Sequence, residues 1–308
     1  MVKYKSLLER EVCFEFLISA AFYANRKDAG AQKRKAQANK SKLIIKLYKG
    51  EKNMSLAIIT GASSGIGAEF AKQLKERGVD EFWFVARRED KMISLGDSLG
   101  VKYKVIPADL ACDEGIEVYR AVLESEKPQV RYLINAAGFG DFGAFDETSE
   151  DRVRKMIDLN VKALVLLTHM TVPYMERGGR IVQMGSGSCF TPLPYFNVYS
   201  SGKVFVLHYT KSLNFELKKY GVRATCFCPG WVETEFIGKA SDSKVTMPRE
   251  FKPLLKCEKV VAGCIKAMEK GKTMYVTGWY TKLQHLLFKI VPDFILTKLW
   301  LTMLDKKQ

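Results

Sequence analysis

The stretch from Ser55 to Arg77 leaves this chain few folds to choose from. Ser55-Leu-Ala-Ile-Ile-Thr60 is an apolar run of strand length that enters Thr60-Gly61-Ala62-Ser63-Ser64-Gly65-Ile66-Gly67. An amphipathic helix is expected over residues 68–77, with Phe70, Ala71 and Leu74 recurring on one side. Such a strand–turn–helix unit aims free N–H groups and the positive end of a helix dipole at the turn. Its glycines permit a tight bend and close backbone approach to a pyrophosphate.

The alternation continues along the chain. Glu81-Phe-Trp-Phe-Val-Ala86 reads as a second strand ending in Arg87-Arg88. Its end falls about twenty residues past the glycines, where an NAD site would carry an acidic residue for the ribose 2′-hydroxyl. Arg87 and Arg88 instead offer guanidinium forks suited to a 2′-phosphate, Arg87 more so, because Arg88 also reads as the start of a solvated helix. Tyr103-Lys-Val-Ile-Pro-Ala-Asp109-Leu110 is a third strand, with a carboxylate at its end to accept from an adenine amino group. Tyr132-Leu-Ile-Asn135-Ala136-Ala137-Gly138 is a fourth, ending in small residues where a cofactor must come close. A helix follows over residues 150–174, with Thr148 or Ser149 as its cap and Asn160 in its middle. Strands over 180–185, 222–228 and 273–276 bring the count to about seven. The expectation is a Rossmann-type doubly wound parallel sheet with helices on both faces.

Within this frame Tyr199-x-x-x-Lys203 lies on an expected helix over residues 195–220, where a spacing of four puts both side chains on one face. There an ammonium can lower a phenol's pKa toward working pH, giving a group that exchanges a proton with an alcohol or carbonyl oxygen. Ser186, thirteen residues earlier at the end of the fifth strand, can donate to the same oxygen.

Thr60-Gly-x-x-x-Gly-x-Gly67, Asp109, Asn135-Ala-Ala-Gly138, Asn160, Ser186, Tyr199-x-x-x-Lys203 and Pro229-Gly230 occur in an order and spacing that resembles the short-chain dehydrogenase/reductase family. The resemblance covers residues 54–278. It implies a catalytic set of Ser186, Tyr199, Lys203 and Asn160, the last holding a water that connects the lysine to solvent. It implies a cofactor site of Gly61, Ser63, Ser64, Gly65, Ile66, Gly67, Arg87, Arg88, Asp109, Leu110, Asn135, Ala136, Gly138, Tyr199, Lys203, Pro229, Gly230 and Thr234. Many NADP-preferring members carry a basic residue where this chain has Ser64, so the expected choice of NADP over NAD rests on Arg87. Ile134-Asn135 stands where Asn-Asn is commoner. Homodimers or homotetramers are common among such proteins, and one is expected here.

Three aromatic-rich stretches should line a substrate pocket: residues 139–145, 188–195 and 231–247. From these Phe139, Phe142, Ser188, Cys189, Tyr195 and Trp231 are the expected lining, although the phenylalanines suit a core equally well. Residues 279–308 form a tail with two apolar stripes, Leu283-Leu286-Leu287-Ile290 and Ile295-Leu299-Trp300-Met303-Leu304, separated by Pro292. Lys289, Asp293 and Lys298 argue against a membrane-spanning segment. A lid or interface is expected ahead of a membrane-surface role. The loops and tail look like those of reductases for hydroxysteroids, bile acids and related lipid-like alcohols.

The formal charge of +15 invites a nucleic-acid reading, but ten Lys or Arg face only Asp28 and Glu51 between Arg26 and Lys52. About half of the basic excess, a surplus of eight, therefore lies in residues 26–52, and the rest is spread over the chain from residue 53 on. Residues 1–53 are expected to be disordered or weakly helical and to derive from an overextended gene start ahead of Met54. No nucleic-acid partner is expected. Seven scattered cysteines with no Cys-x-x-Cys pair fit free thiols in a reducing, cytoplasmic setting, with no metal site. Cys226 and Cys228 should share one side of a strand and pack in the core. His169, His208 and His285 have no evident partners. The function expected is NADP-dependent interconversion of a secondary alcohol and a ketone on a bulky hydrophobic substrate, a hydroxysteroid or bile acid by preference. The alternatives are a 3-ketoacyl-type reductase and a non-catalytic NADP sensor.

Overall fold

The computed structural model describes residues 54–240, 247, 248, 251 and 253–305. The basic extension, residues 1–53, and residues 241–246 of the expected pocket loop lie outside the described residues.

Seven strands form one parallel sheet: β1 Leu56–Thr60, β2 Glu81–Ala86, β3 Lys102–Pro107, β4 Val130–Asn135, β5 Met175–Met184, β6 Arg223–Cys228 and β7 Met274–Val276. Their lateral order is β3-β2-β1-β4-β5-β6-β7. The chain winds outward from β1 to β3, then returns to place β4 on the other flank of β1. That reversal opens a crevice at the carboxyl ends of β1 and β4, where open α/β sheets bind ligands.

Strand alternation explains why both faces are apolar. In β1, Ala57 and Ile59 point into one core layer with Phe70, Phe82, Phe84 and Ile265. Leu56 and Ile58 point into the other, with Trp83, Tyr119, Leu133 and Leu167. A strand covered on both sides must be apolar throughout, as this one is. The helices that supply the cover are α1 Gly65–Lys75, α2 Glu89–Leu99 and α8 Cys257–Glu269 on the first face; α3 Asp113–Glu126 and α5 Leu164–Thr171 cover the second. α4 Glu150–Ile157, α6 Asn197–Glu216, α7 Glu235–Ala240, α9 Trp279–Leu287 and α10 Asp293–Thr302 complete the helices used below.

β5 begins at Met175, ahead of the strand expected over 180–185, and two helical stretches also differ from the sequence expectation. The helix expected over 150–174 is α4 and α5 joined by a π-helical segment, Asp158–Ala163, and followed by a 3-10 turn, Val172–Tyr174. Ser149 is its cap, accepting from the Arg152 N–H at 3.3 Å. α6 begins at Asn197 rather than 195, because Tyr195 sits at φ 64° and Phe196, at φ −145° and ψ 27°, is not yet helical. A left-handed residue cannot open a right-handed helix, so the turn delays it.

α6 carries the tyrosine and lysine, and its far end is tied to the sheet by Asn214. There the short β7 no longer reaches alongside β6, so Asn214 Oδ1 accepts from the Ala224 N–H at 3.0 Å while Nδ2 donates to Thr273 Oγ1 at 3.1 Å. Asn214 is 4% exposed. Asn214→Ala strands a buried strand N–H, and urea unfolding should show a loss of about 1–3 kcal/mol. An unchanged midpoint would remove this residue from the account of how α6 is held.

Candidate active site

The fifth strand delivers Ser186 to the carboxyl edge of the sheet, and α6 lays Tyr199 and Lys203 beside it. The strand end has to be slim: a Cβ on Gly185 would stand 2.7 Å from Cys226 Sγ and 3.1 Å from Cys228 Sγ. Those two thiols are fully buried 3.6 Å apart, as core packing requires. Ser186 Oγ accepts from the Ser188 N–H at 3.1 Å and caps a 3-10 turn, Gly187–Phe190.

Lys203 is 1% exposed. Its Nζ donates to the Met184 carbonyl at 2.8 Å and lies 5.3 Å from the centroid of the Tyr199 ring. Burial lowers its pKa from 10.5 to about 8, with three nearby cysteines opposing. The Tyr199 pKa moves the other way. Burial raises it well above the usual phenol value, while the hydrogen bond to Ser186 draws it down. The expected lowering of the phenol's pKa toward working pH is therefore corrected in direction: burial dominates the shift. Tyr199 is a neutral phenol at neutral pH, the form that donates a proton.

Asn160 is in the π-helical segment, 2% exposed, with Nδ2 donating to the Phe139 carbonyl at 2.7 Å. Its Oδ1 is buried with no hydrogen-bond partner among the described residues. A Cβ on Gly138 would fall 2.5 Å from that oxygen and 3.6 Å from Lys203 Nζ, so the acceptor and the amine flank the same glycine. An orphan acceptor of this kind fits the water-holding role that the resemblance implies. π-turns of this kind often occur at functional sites.

The cofactor side follows from the glycine turn. Gly61 at φ 67° and Gly65 at φ 54° adopt the left-handed conformation. A Cβ on Gly67 would stand 2.4 Å from the Gly61 carbonyl oxygen. Ser64 caps α1 in extended conformation without using its side chain on the helix N–H groups. Thr234 lies against Gly65, with its Cβ and Cγ2 3.3 Å from where a Cβ on Gly65 would stand. This cradle has the shape and donors that a dinucleotide pyrophosphate needs.

The two arginines point in different directions. Arg87 is a largely exposed side chain 3.9 Å from Asp109. Arg88 reaches back into the turn, donating to Ser63 Oγ at 3.2–3.3 Å and to Ser64 Oγ at 2.6 Å, and pairs with Glu235 at 2.9 Å. Adjacency in sequence hides this difference in direction, and both arginines line the cavity. Asn135, expected at the cofactor, is corrected. It lies 3% exposed beneath the cleft, donating to Thr168 Oγ1 and Gln183 Oε1, and does not line it.

One cavity of about 360 Å³ joins these parts. Its floor includes Gly61, Ser63, Ser64, Gly65, Ile66, Gly67, Arg87, Arg88, Asp109, Leu110, Ala136, Gly138, Pro229, Gly230 and Thr234, and it continues past Ser186, Tyr199 and Lys203. Phe139, Ser188 and Trp231 line it as expected. Phe142, Cys189 and Tyr195 do not. Phe142 stacks on Phe196 with centroids 4.0 Å apart, Cys189 packs its thiol 3.9 Å from Cys228, and Tyr195 forms the turn before α6. Phe196, Phe236 and Leu193 take their place, and so do residues of the tail: Tyr280, Thr281, Gln284, Phe288, Leu296, Leu299, Trp300 and Met303. Trp300 Nε1 donates to the Pro194 carbonyl at 2.9 Å, pinning α10 to the loop ahead of the catalytic helix. The apolar stripes were legible as stripes; which face looks inward was not. Among the described residues, no cluster of His, Cys, Asp or Glu is placed to hold a metal ion.

A family model described as short chain dehydrogenase matches residues 55–244. The chain is 29% identical over 204 residues to hydroxysteroid dehydrogenase-like protein 1 of Gallus gallus, covering 63% of this chain and 60% of that protein. It is 30% identical over 185 residues to a Homo sapiens protein named inactive hydroxysteroid dehydrogenase-like protein 1, covering 58% of this chain and 56% of that one. The matched stretches thus span less than two thirds of these relatives. Among solved structures, a short-chain dehydrogenase from Sphingobium yanoikuyae in complex with NADPH superposes with a TM-score of 0.66 at 25% identity, over 77% of this chain and 96% of that chain.

The glycine cradle generates a direct test. Gly67→Ala sets a methyl against the Gly61 carbonyl, an overpacking cost of about 1–3 kcal/mol that should weaken NADPH and NADH alike by about tenfold or more. Fluorescence titration reads the affinities. Unchanged binding of both would separate this turn from the cofactor.

Proposed function

Because the chain belongs to the short-chain dehydrogenase family, we propose that it is an NADP-dependent oxidoreductase interconverting a secondary alcohol and a ketone on a bulky hydrophobic substrate, a hydroxysteroid or bile acid by preference. The observation that carries this reading is the convergence of Ser186, Tyr199 and Lys203 in a cavity whose far wall is apolar and aromatic.

The glycine turn and the α1 N-terminus would hold the cofactor pyrophosphate, Asp109 the adenine end, and Pro229, Gly230 and Thr234 the nicotinamide end. Arg88, forked between Ser63 and Ser64, supports a 2′-phosphate. When bound, the nicotinamide supplies or accepts the hydride. In reduction Tyr199 donates its phenolic proton to the substrate oxygen, and Ser186 donates a hydrogen bond that stabilises the charge developing there. Lys203, with its pKa lowered to about 8, returns a proton to Tyr199 and is itself reprotonated from solvent through the water that the Asn160 Oδ1 acceptor would hold. Phe236 and Phe196 pack on the Tyr199 ring at 5.6 and 4.4 Å between centroids and keep water from it. In oxidation the same groups run in reverse.

The free buried thiols of Cys189, Cys226, Cys228 and Cys264 support a cytoplasmic setting. Exposed Ile157 on α4 and Phe205 and Phe215 on α6 support a homodimer or homotetramer built on those helices.

A second reading, a dinucleotide-binding protein without turnover, is favoured by the names of relatives described as inactive. Loss of NADPH absorbance with a panel of ketosteroids, oxidised bile acids and long-chain keto esters separates the two. The proposal expects consumption with a bulky ketone, reduced about 10²–10⁴-fold in Tyr199→Phe. Tight NADPH binding with no turnover across the panel would favour the second reading, and equal turnover by Tyr199→Phe would remove the proton-transfer assignment.

Cofactor choice has its own test. Arg88→Gln should weaken NADPH about tenfold and leave NADH within about twofold. An equal effect on both would make Arg88 a support for the loop and nothing more.

A further inference from the structure

Nine of the nineteen exposed large apolar side chains among the described residues fall within residues 279–303, so the exposure is a patch and not a scatter. On α9, Trp279, Leu283, Leu286 and Leu287 follow one another at helical spacing along the outer face, and Ile290 continues the stripe in the turn beyond; Trp279 and Ile290 are 75% and 74% exposed. The opposite face of the same helix presents Tyr280, Thr281, Gln284 and Phe288 to the cavity. α10 adds Phe294, Ile295, Leu299 and Met303 to the outer patch. The tail is therefore apolar on both sides, although only one side has the cavity to face.

We infer that α9 and α10 form a docking face for an anionic lipid bilayer, lying flat on the membrane surface with the substrate cavity opening beside it. Length rules out a span. At about 1.5 Å per residue, helices of nine and ten residues reach about half of a hydrocarbon core roughly 30 Å thick. No helix among the described residues is long and apolar enough to cross. A helix with an apolar face, aromatic anchors and lysines at its edges lies instead in the interface. Here the edges carry exposed Lys282, Lys289 and Lys298 against one exposed carboxylate, Asp293. That sign complements anionic headgroups and repels a second copy of the same face, which selects the bilayer over self-association.

Continuity with the cavity supplies the second argument. Leu299 and Met303 are 59% and 42% exposed and also line the cavity, so patch and pocket share an edge. A membrane-dissolved apolar alcohol or ketone would pass from acyl chains to the pocket without crossing bulk water. The inference concerns where the protein sits and does not depend on which ketone it reduces.

The test uses the full chain, vesicles of phosphatidylcholine with and without phosphatidylglycerol, and a Leu286→Glu/Ile290→Glu double variant. Both substituted side chains are exposed and neither lines the cavity. The protein should co-sediment with phosphatidylglycerol vesicles more than with phosphatidylcholine alone. The double variant should bind at least about tenfold more weakly, with thermal unfolding unaltered. Failure of the wild-type chain to co-sediment overturns the inference. So does equal binding by the double variant, which would assign membrane contact to another part of the chain such as the basic residues 26–52. A wild-type oligomer that the double variant dissociates, seen by sedimentation equilibrium without vesicles, would make this face a protomer interface and overturn it as well.

Discussion

The buried amine of Lys203 is the constraint around which the rest of the site is arranged. A group that prefers water is held 1% exposed, and the drop in its pKa from 10.5 to about 8 corresponds to a penalty of roughly 3 kcal/mol on its charged form relative to water. Its hydrogen bond goes to the Met184 carbonyl, so its position depends on where β5 ends. Gly138 and Gly185 keep the strand ends slim around it, and the π-turn brings Asn160 to the same glycine. Buried, incompletely paired polar groups cost stability wherever they occur. Concentrating an amine, an orphan amide oxygen and a desolvated phenol in one place is an arrangement suited to chemistry and poor for folding.

The second constraint is continuity. The topological switch between β1 and β4 sets the glycine-rich floor of the cavity, and β5 with α6 sets Ser186, Tyr199 and Lys203 at its middle. The tail closes the far end through Trp300 and its bond to Pro194. Residues within 280–303 are therefore part of the pocket wall, and substrate selection has to be read from them as much as from the loops. On the proposed reading, a bulky apolar substrate would be selected by this wall without any change to the helix that carries Tyr199 and Lys203.

Much of this was legible in the sequence because it depends on the backbone. β2 has the expected bounds, the alternation of strand and helix gave the doubly wound sheet, and Tyr199 and Lys203 share a face because four residues make about one helical turn. Glycine positions announced the turn because no other residue fits 2.4 Å from a carbonyl oxygen. What could not be read was direction. Arg87 and Arg88 are adjacent and chemically identical, and only the fold shows that Arg88 bends back to Ser63 and Ser64. Phe142, Cys189 and Tyr195 share a pocket-like composition with their neighbours, yet stacking, thiol packing and a left-handed turn take them away from the cavity. The sign of the Tyr199 shift also escaped, because spacing gives proximity to Lys203 but not the degree of burial that decides between charge and desolvation.

The most direct measurement is a titration of the Lys203 amine itself, by NMR of the chain labelled at lysine Nζ, with Lys203→Met to assign the resonance. The account predicts a midpoint near pH 8, well apart from the surface lysines. A midpoint close to 10.5 would mean that the amine is solvated or fully paired, and would contradict the buried, poised lysine on which the site depends.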